Sequence, residues 1–103
     1  MDIKGLREAI RAGNFEWRKH TLIRLAERNI AQDIILEVVL SGKIIEDYPQ
    51  DKPFPSCLIF KIINDKPYHA VVAFDSGHKK GHIITVYQPT LDKFESDFKT
   101  RRK

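Results

Sequence analysis

Three apolar segments, SCLIFKII, PYHAVVAFD and HIITVYQ, follow one another between Ser56 and Gln88 with only short turns between them. That spacing constrains the fold more than any other feature of the chain. Parallel neighbours need a crossover of about a dozen residues or more, so strands joined by Asn64-Asp65-Lys66 and by SGHKKG run antiparallel. The first segment is apolar on both alternating sets, which marks a central strand covered on at least one face. The second places His69, Val71 and Ala73 on one face, and Pro67 is confined to the strand start or an edge. Strict alternation in the third puts Ile83, Thr85 and Tyr87 on one face and His82, Ile84 and Val86 on the other. A shorter candidate, IIED from Ile44, precedes them across the loop YPQDKPFP.

The N-terminal part follows the helical period instead. Asp2 is a good N-cap for a first helix that buries Ile3, Leu6 and Ile10, and Gly13 with Asn14 stops it. A second helix runs over about 19–28 and ends at Asn29, a residue suited to the left-handed position. A third occupies about 31–41, with Ile34, Ile35, Val38 and Val39 as its apolar stripe and Gly42 closing it. At the other end, Thr90 can cap a last helix whose Leu91, Phe94 and Phe98 face inward. The expected class is α+β in one domain, residues 1–103: three N-terminal helices, four mostly antiparallel strands, and a C-terminal helix.

Charge and cysteine content narrow the function classes. The formal net charge is +4, which favours acidic partners such as RNA. Part of the excess sits in KTRRK, where Arg101 and Arg102 serve either as a solubilising tail or as phosphate ligands. No apolar run approaches the roughly 20 residues that span a bilayer, and no signal-like segment opens the chain. Cys57 is the only cysteine, so an internal disulfide is impossible and a reducing cytoplasm is expected. His78 and His82 are four apart in a glycine-bearing loop rather than on a helix, so no metal site is expected, and no cofactor motif is present.

The stretch WRKHTLIRLAERNI carries the most suggestive polar pattern. At 100° per residue, Leu22, Ile23, Leu25, Ala26 and Ile30 form an apolar stripe, with His20, Arg24, Glu27 and Arg28 on the opposite side. That side is either a solvated face with weak surface ion pairs or an anion-binding face. Guanidinium groups on adjacent turns can hold successive phosphate oxygens, and an imidazole beside them can move a proton at neutral pH. Metal-independent RNA cleavage asks for those parts: a base, an acid and cations around the phosphorane.

These residues, together with IIEDYP, DKPFPSCLIF, YHAVVAFD and ITVYQP, resemble the bacterial domain of unknown function family 4258, from about Trp17 to Arg102. That family is similar in layout to the RelE and barnase-like toxin ribonucleases. The resemblance implies an RNA-cutting toxin with a cognate antitoxin, and its pattern falls on His20, Arg24, Glu27, Arg28, Tyr48, Pro49, His69, Tyr87 and Pro89. Where relatives tend to carry a glycine and a Ser or Thr cap, this chain has Asn29 and Ala31, which leaves Asn29, with Gln32, to cap the third helix.

On this reading His20 and His69 divide the acid and base roles, Arg24 and Arg28 clamp phosphate, and Tyr87 positions the substrate. His69 has a second reading as a satisfied core histidine, and Tyr87 as a rim tyrosine. The alternative function is a non-catalytic module that binds nucleic acid or protein through the same basic face. A third is a scaffold that pairs a partner strand along an open sheet edge.

Overall fold

A computed structural model describes residues 1–103. Helix α1 (Ile3–Arg11) starts as expected, with the Asp2 carboxylate accepting from the Gly5 amide at 2.9 Å. Strand β1 (Phe15–Trp17), helices α2 (Lys19–Glu27) and α3 (Gln32–Ser41), and strands β2 (Lys43–Tyr48), β3 (Ser56–Ile63), β4 (Lys66–Asp75) and β5 (Lys80–Tyr87) follow. Asn29 ends α2 with a positive φ of 54°. The sheet order is β1-β5-β4-β3-β2. Strands β2 to β5 form the expected antiparallel meander, and Asn64 and Asp65, both at positive φ, make the tight turn between β3 and β4. No helix is long and apolar enough to cross a membrane.

Three expectations are corrected. The sheet has five strands and is mixed, because β1 pairs parallel to β5. Asn29 does not cap α3; Ala31 occupies that position in extended conformation without a side-chain bond. The C-terminal helix is absent. Only one turn forms after Thr90, whose carbonyl accepts from Lys93 and Phe94. Asp97 then takes the amides of Lys99 and Thr100 at 2.9 and 3.0 Å, and Phe98 adopts a φ of 59°. A side chain that captures local amides in this way competes with the helical ladder. Residues 89–103 therefore fold as a strap, held by a bridge between Phe94 and Arg101.

The main core lies on one face of the sheet, where α1 and α3 bury Leu6, Ile10, Ile35, Val38 and Val39 against Ile59, Ala70, Val72, Ile83 and Val86. Gly42 links α3 to β2 where a Cβ would lie 2.4 Å from the Val38 carbonyl and 2.7 Å from that of Phe60, so close backbone approach requires a glycine there. The opposite face carries Leu58, Phe60, His69, Val71 and Ala73, and the strap covers part of it through Phe94.

Strand β5 departs from strict alternation. Val71 pairs with Thr85 and Val72 with Ile83, which leaves Ile84 as an extra residue in a bulge. Ile83 and Val86 therefore both enter the helix-side core, whereas His82, Thr85 and Tyr87 share the opposite face. The buried Thr21 donates its hydroxyl to the Ile84 carbonyl at 2.7 Å, which ties α2 to the bulge. Thr21→Val should lower stability by roughly 1–3 kcal/mol in urea denaturation, with Thr21→Ser retaining most of it, because the valine leaves a carbonyl unpaired.

The buried side of α2 is narrower than the apolar stripe. Thr21 and Leu25 are buried, Ala26 is exposed and Ile23 is 50% exposed. The helix is thus rotated, with His20 and Arg24 turned outward and Arg28 brought round toward the end of β5.

Candidate phosphate-binding cleft

Cross-strand register places His69 opposite Tyr87 on one side and opposite Phe60 on the other. The imidazole is fully buried, with the Phe94 ring edge-on at 4.6 Å and Phe60 at 5.8 Å. Its Nε2 lies 2.6 Å from the Phe98 carbonyl and its Nδ1 lies 3.1 Å from the Tyr87 hydroxyl. A carbonyl only accepts, so the proton is on Nε2, and Nδ1 accepts from the phenol. Burial pushes the His69 pKa below its ordinary value, against the pull of the Phe98 carbonyl. Burial likewise raises the Tyr87 pKa, so the phenol is held protonated.

Beside this pair, Arg101 donates to both carboxylate oxygens of Glu46 at 2.7 and 3.1 Å, and Tyr48 donates its hydroxyl to the same carboxylate. The Arg101 hydrogen bonds are the main reason the Glu46 carboxyl lies below its usual range. The guanidinium also sits 5.0 Å from the centre of the Phe94 ring. Glu46 can reach the strap because a second irregularity, at Ile45, sets the register of β2.

Above Tyr87 opens a cleft of about 660 Å³, lined by Arg28 from the end of α2, Tyr87 and Gln88 from β5 and its exit, and Thr90, Lys93 and Arg101 from the strap. No carboxylate lines it. Arg101 is compensated by Glu46, whereas Arg28 and Lys93 form no ion pair. The cleft therefore presents two uncompensated cations, a third charge with donors fixed by Glu46, and a phenol oriented by a buried imidazole. Phosphate oxygens match such a donor set.

Of the residues read from the sequence, Arg28, Tyr87 and Arg101 meet in this cleft, with His69 directly behind Tyr87. His20 and Arg24 do not line it, and His20 is not among the ring or hydrogen-bond neighbours of His69. Arg102 turns back to the Leu91 carbonyl and to Glu95 at 3.1 Å. His78 pairs with Asp75 at 2.8 Å, and His82 stacks on Phe54. Sequence reading missed Lys93 and Glu46. The paired carboxylates Glu46 and Asp47 in IIEDY, in a chain with a basic tail, were the available signal for Glu46.

Fold and cleft together define a small α+β protein with a cation-lined cleft beside a hydrogen-bonded Tyr87–His69 pair. The family model described as domain of unknown function (DUF4258) matches residues 17–88, and the chain belongs to that family. The match stops short of Arg102: it includes Arg28, Glu46, His69 and Tyr87, while Lys93 and Arg101 lie beyond it. No curated protein and no solved structure matches the chain.

Proposed function

We propose that the cleft holds a phosphodiester of single-stranded RNA and cuts it without a metal ion, as in a ribonuclease of toxin type. The observation that carries this reading is the gathering of Arg28, Lys93 and Arg101 around the Tyr87 hydroxyl in a cleft free of carboxylates. In the step envisaged, the ribose 2′-oxygen attacks the adjacent phosphorus and the bond to the 5′-oxygen breaks. The 2′-hydroxyl proton passes to Tyr87 while the phenol gives its own to Nδ1 of His69, which keeps its bond to Phe98. The Lys93 ammonium protonates the departing 5′-oxygen, and the two guanidinium groups face the charge that builds on the phosphorane. Arg24, one turn before Arg28, extends the cationic track outside the cleft, with His20 a further turn back.

A second reading, binding without cleavage, draws on a different observation. Both nitrogens of His69 are engaged and its ring is sealed from solvent, so no free imidazole reaches the cleft. A protein partner such as an antitoxin would then compete with RNA for the same cations.

One experiment tests both. Purified protein is incubated with labelled single-stranded RNA in EDTA, and binding is measured across a salt series. The expected results are cleavage to a 2′,3′-cyclic phosphate end, and affinity that falls with salt. Arg28→Ala should weaken binding and make the log–log slope shallower by about 0.7, the loss of one single-strand phosphate contact. Binding with intact RNA selects the second reading. Affinity indifferent to both salt and Arg28→Ala overturns the RNA assignment.

A further inference from the structure

The bulge at Ile84 has a further effect on β5. It sets His82 on the same sheet face as Tyr87, with Ala73 paired to it on β4 and Val71 two residues back on the same face. Over His82 folds the 49–55 loop, and Phe54 stacks on the imidazole at 5.4 Å between centroids and 12° between planes. Next to this pair lies a separate slot of about 310 Å³, floored by Val71 and Ala73 and bordered by Arg18 and Lys52.

The slot has the chemistry of a flat, weakly polar ring rather than that of a second phosphate. Its floor is apolar and its aromatic pair offers a stacking surface, which any nucleobase can use. Unlike His69 and His78, His82 makes no side-chain hydrogen bond within the chain, so its ring nitrogens are open to a ligand. Arg18 and Lys52 form no ion pair. The one carboxylate present, Asp51, is turned into its own loop, where it accepts from Ser56 at 2.6 Å and from the Lys52 amide at 3.2 Å. An apolar ring pocket with cations at its rim suits a base whose own phosphate stays outside.

Position supplies the remaining argument. From His82 to Tyr87 the strand advances on the order of 13–16 Å along one face, allowing for the bulge. A few nucleotides span that length. We infer that the slot beside Phe54 and His82 is a nucleobase subsite, taking one base of the single-stranded RNA whose phosphate occupies the Arg28–Tyr87–Arg101 cleft. The inference rests on the RNA reading above and adds that the surface grips a base at a fixed offset from the phosphate.

The test uses short RNAs in which 2-aminopurine replaces one base at successive positions. Full-length protein should quench the fluorophore strongly at one position, a few nucleotides from the scissile or clamped phosphate. Phe54→Ala should abolish that quench and weaken binding by about 5–100-fold. Phe54→Leu, which keeps apolar bulk in the loop, should melt like the wild type and still lose the quench. Arg28→Ala should lower affinity yet retain the quench at saturating protein. RNA binding that depends on Arg28, with no position-specific quench and no effect of either Phe54 variant, overturns the subsite while the RNA reading stands. Absence of RNA binding by the wild type removes both.

Discussion

Tyr87→Phe should slow RNA cleavage by about 10²–10⁴-fold, the usual effect of losing an acid–base group, with little change in RNA affinity at low substrate. Tyr87 is the one cleft-lining residue that hydrogen-bonds the buried imidazole, so no other group in place can relay the proton. The ring itself remains, and Phe still packs edge-on between His69 and the cleft. Single-turnover rates with excess protein check the chemical step directly. A companion thermal melt separates catalysis from folding, since the variant also leaves Nδ1 of His69 without its donor at a cost of about 1–3 kcal/mol. Equal cleavage by wild type and variant would take Tyr87 out of the reaction.

His69→Ala should be the most destabilising single change in the sheet, by roughly 3–5 kcal/mol. It empties a fully buried site among Phe60, Tyr87 and Phe94 and releases the Phe98 carbonyl that anchors the strap. For a domain of this size each kcal/mol lowers Tm by about 4–8 °C, so calorimetry reads the effect easily. The same residue gives the wild type a pH dependence whose sign follows from burial. The folded imidazole resists protonation, whereas the unfolded one binds a proton below its ordinary pKa of about 6.5. Stability is therefore full above that value and declines as pH falls below it, down to the lower folded pKa. His69→Gln should flatten the Tm profile between pH 7 and 5; an unchanged profile would show that another group governs it.

Much of this architecture can be read in the chain because local and global signals agree. The Asp2 cap, the Asn29 stop, the Asn64-Asp65 turn and the apolar β3 all act through near neighbours, and all stand where expected. The misses share a different cause. Phe15–Trp17 is too short to show alternation, and it becomes a strand only because β5 offers it an edge. The spacing of Leu91, Phe94 and Phe98 fits a helix, yet Asp97 captures the amides on which that helix would depend. The α2 face misled for a tertiary reason. The buried stripe is set by Thr21 reaching a strand carbonyl rather than by hydrophobicity, and that rotation delivers Arg28 to the cleft and leaves His20 outside. Lys93 and Glu46 join the site through the fold-back of the strap, a long-range contact with no periodic trace.

The extra residue at Ile84 works as a parity switch for the end of the strand. Downstream of it every side chain has exchanged sides relative to an uninterrupted strand. Were Ile84 paired in regular register instead, with no residue lost, the length of the sheet would be almost unchanged. The phenol would nevertheless turn inward among α1 and α3 and Val86 would face Arg28, whereas losing Ile84 altogether would close the bulge and keep the phenol on the cleft side.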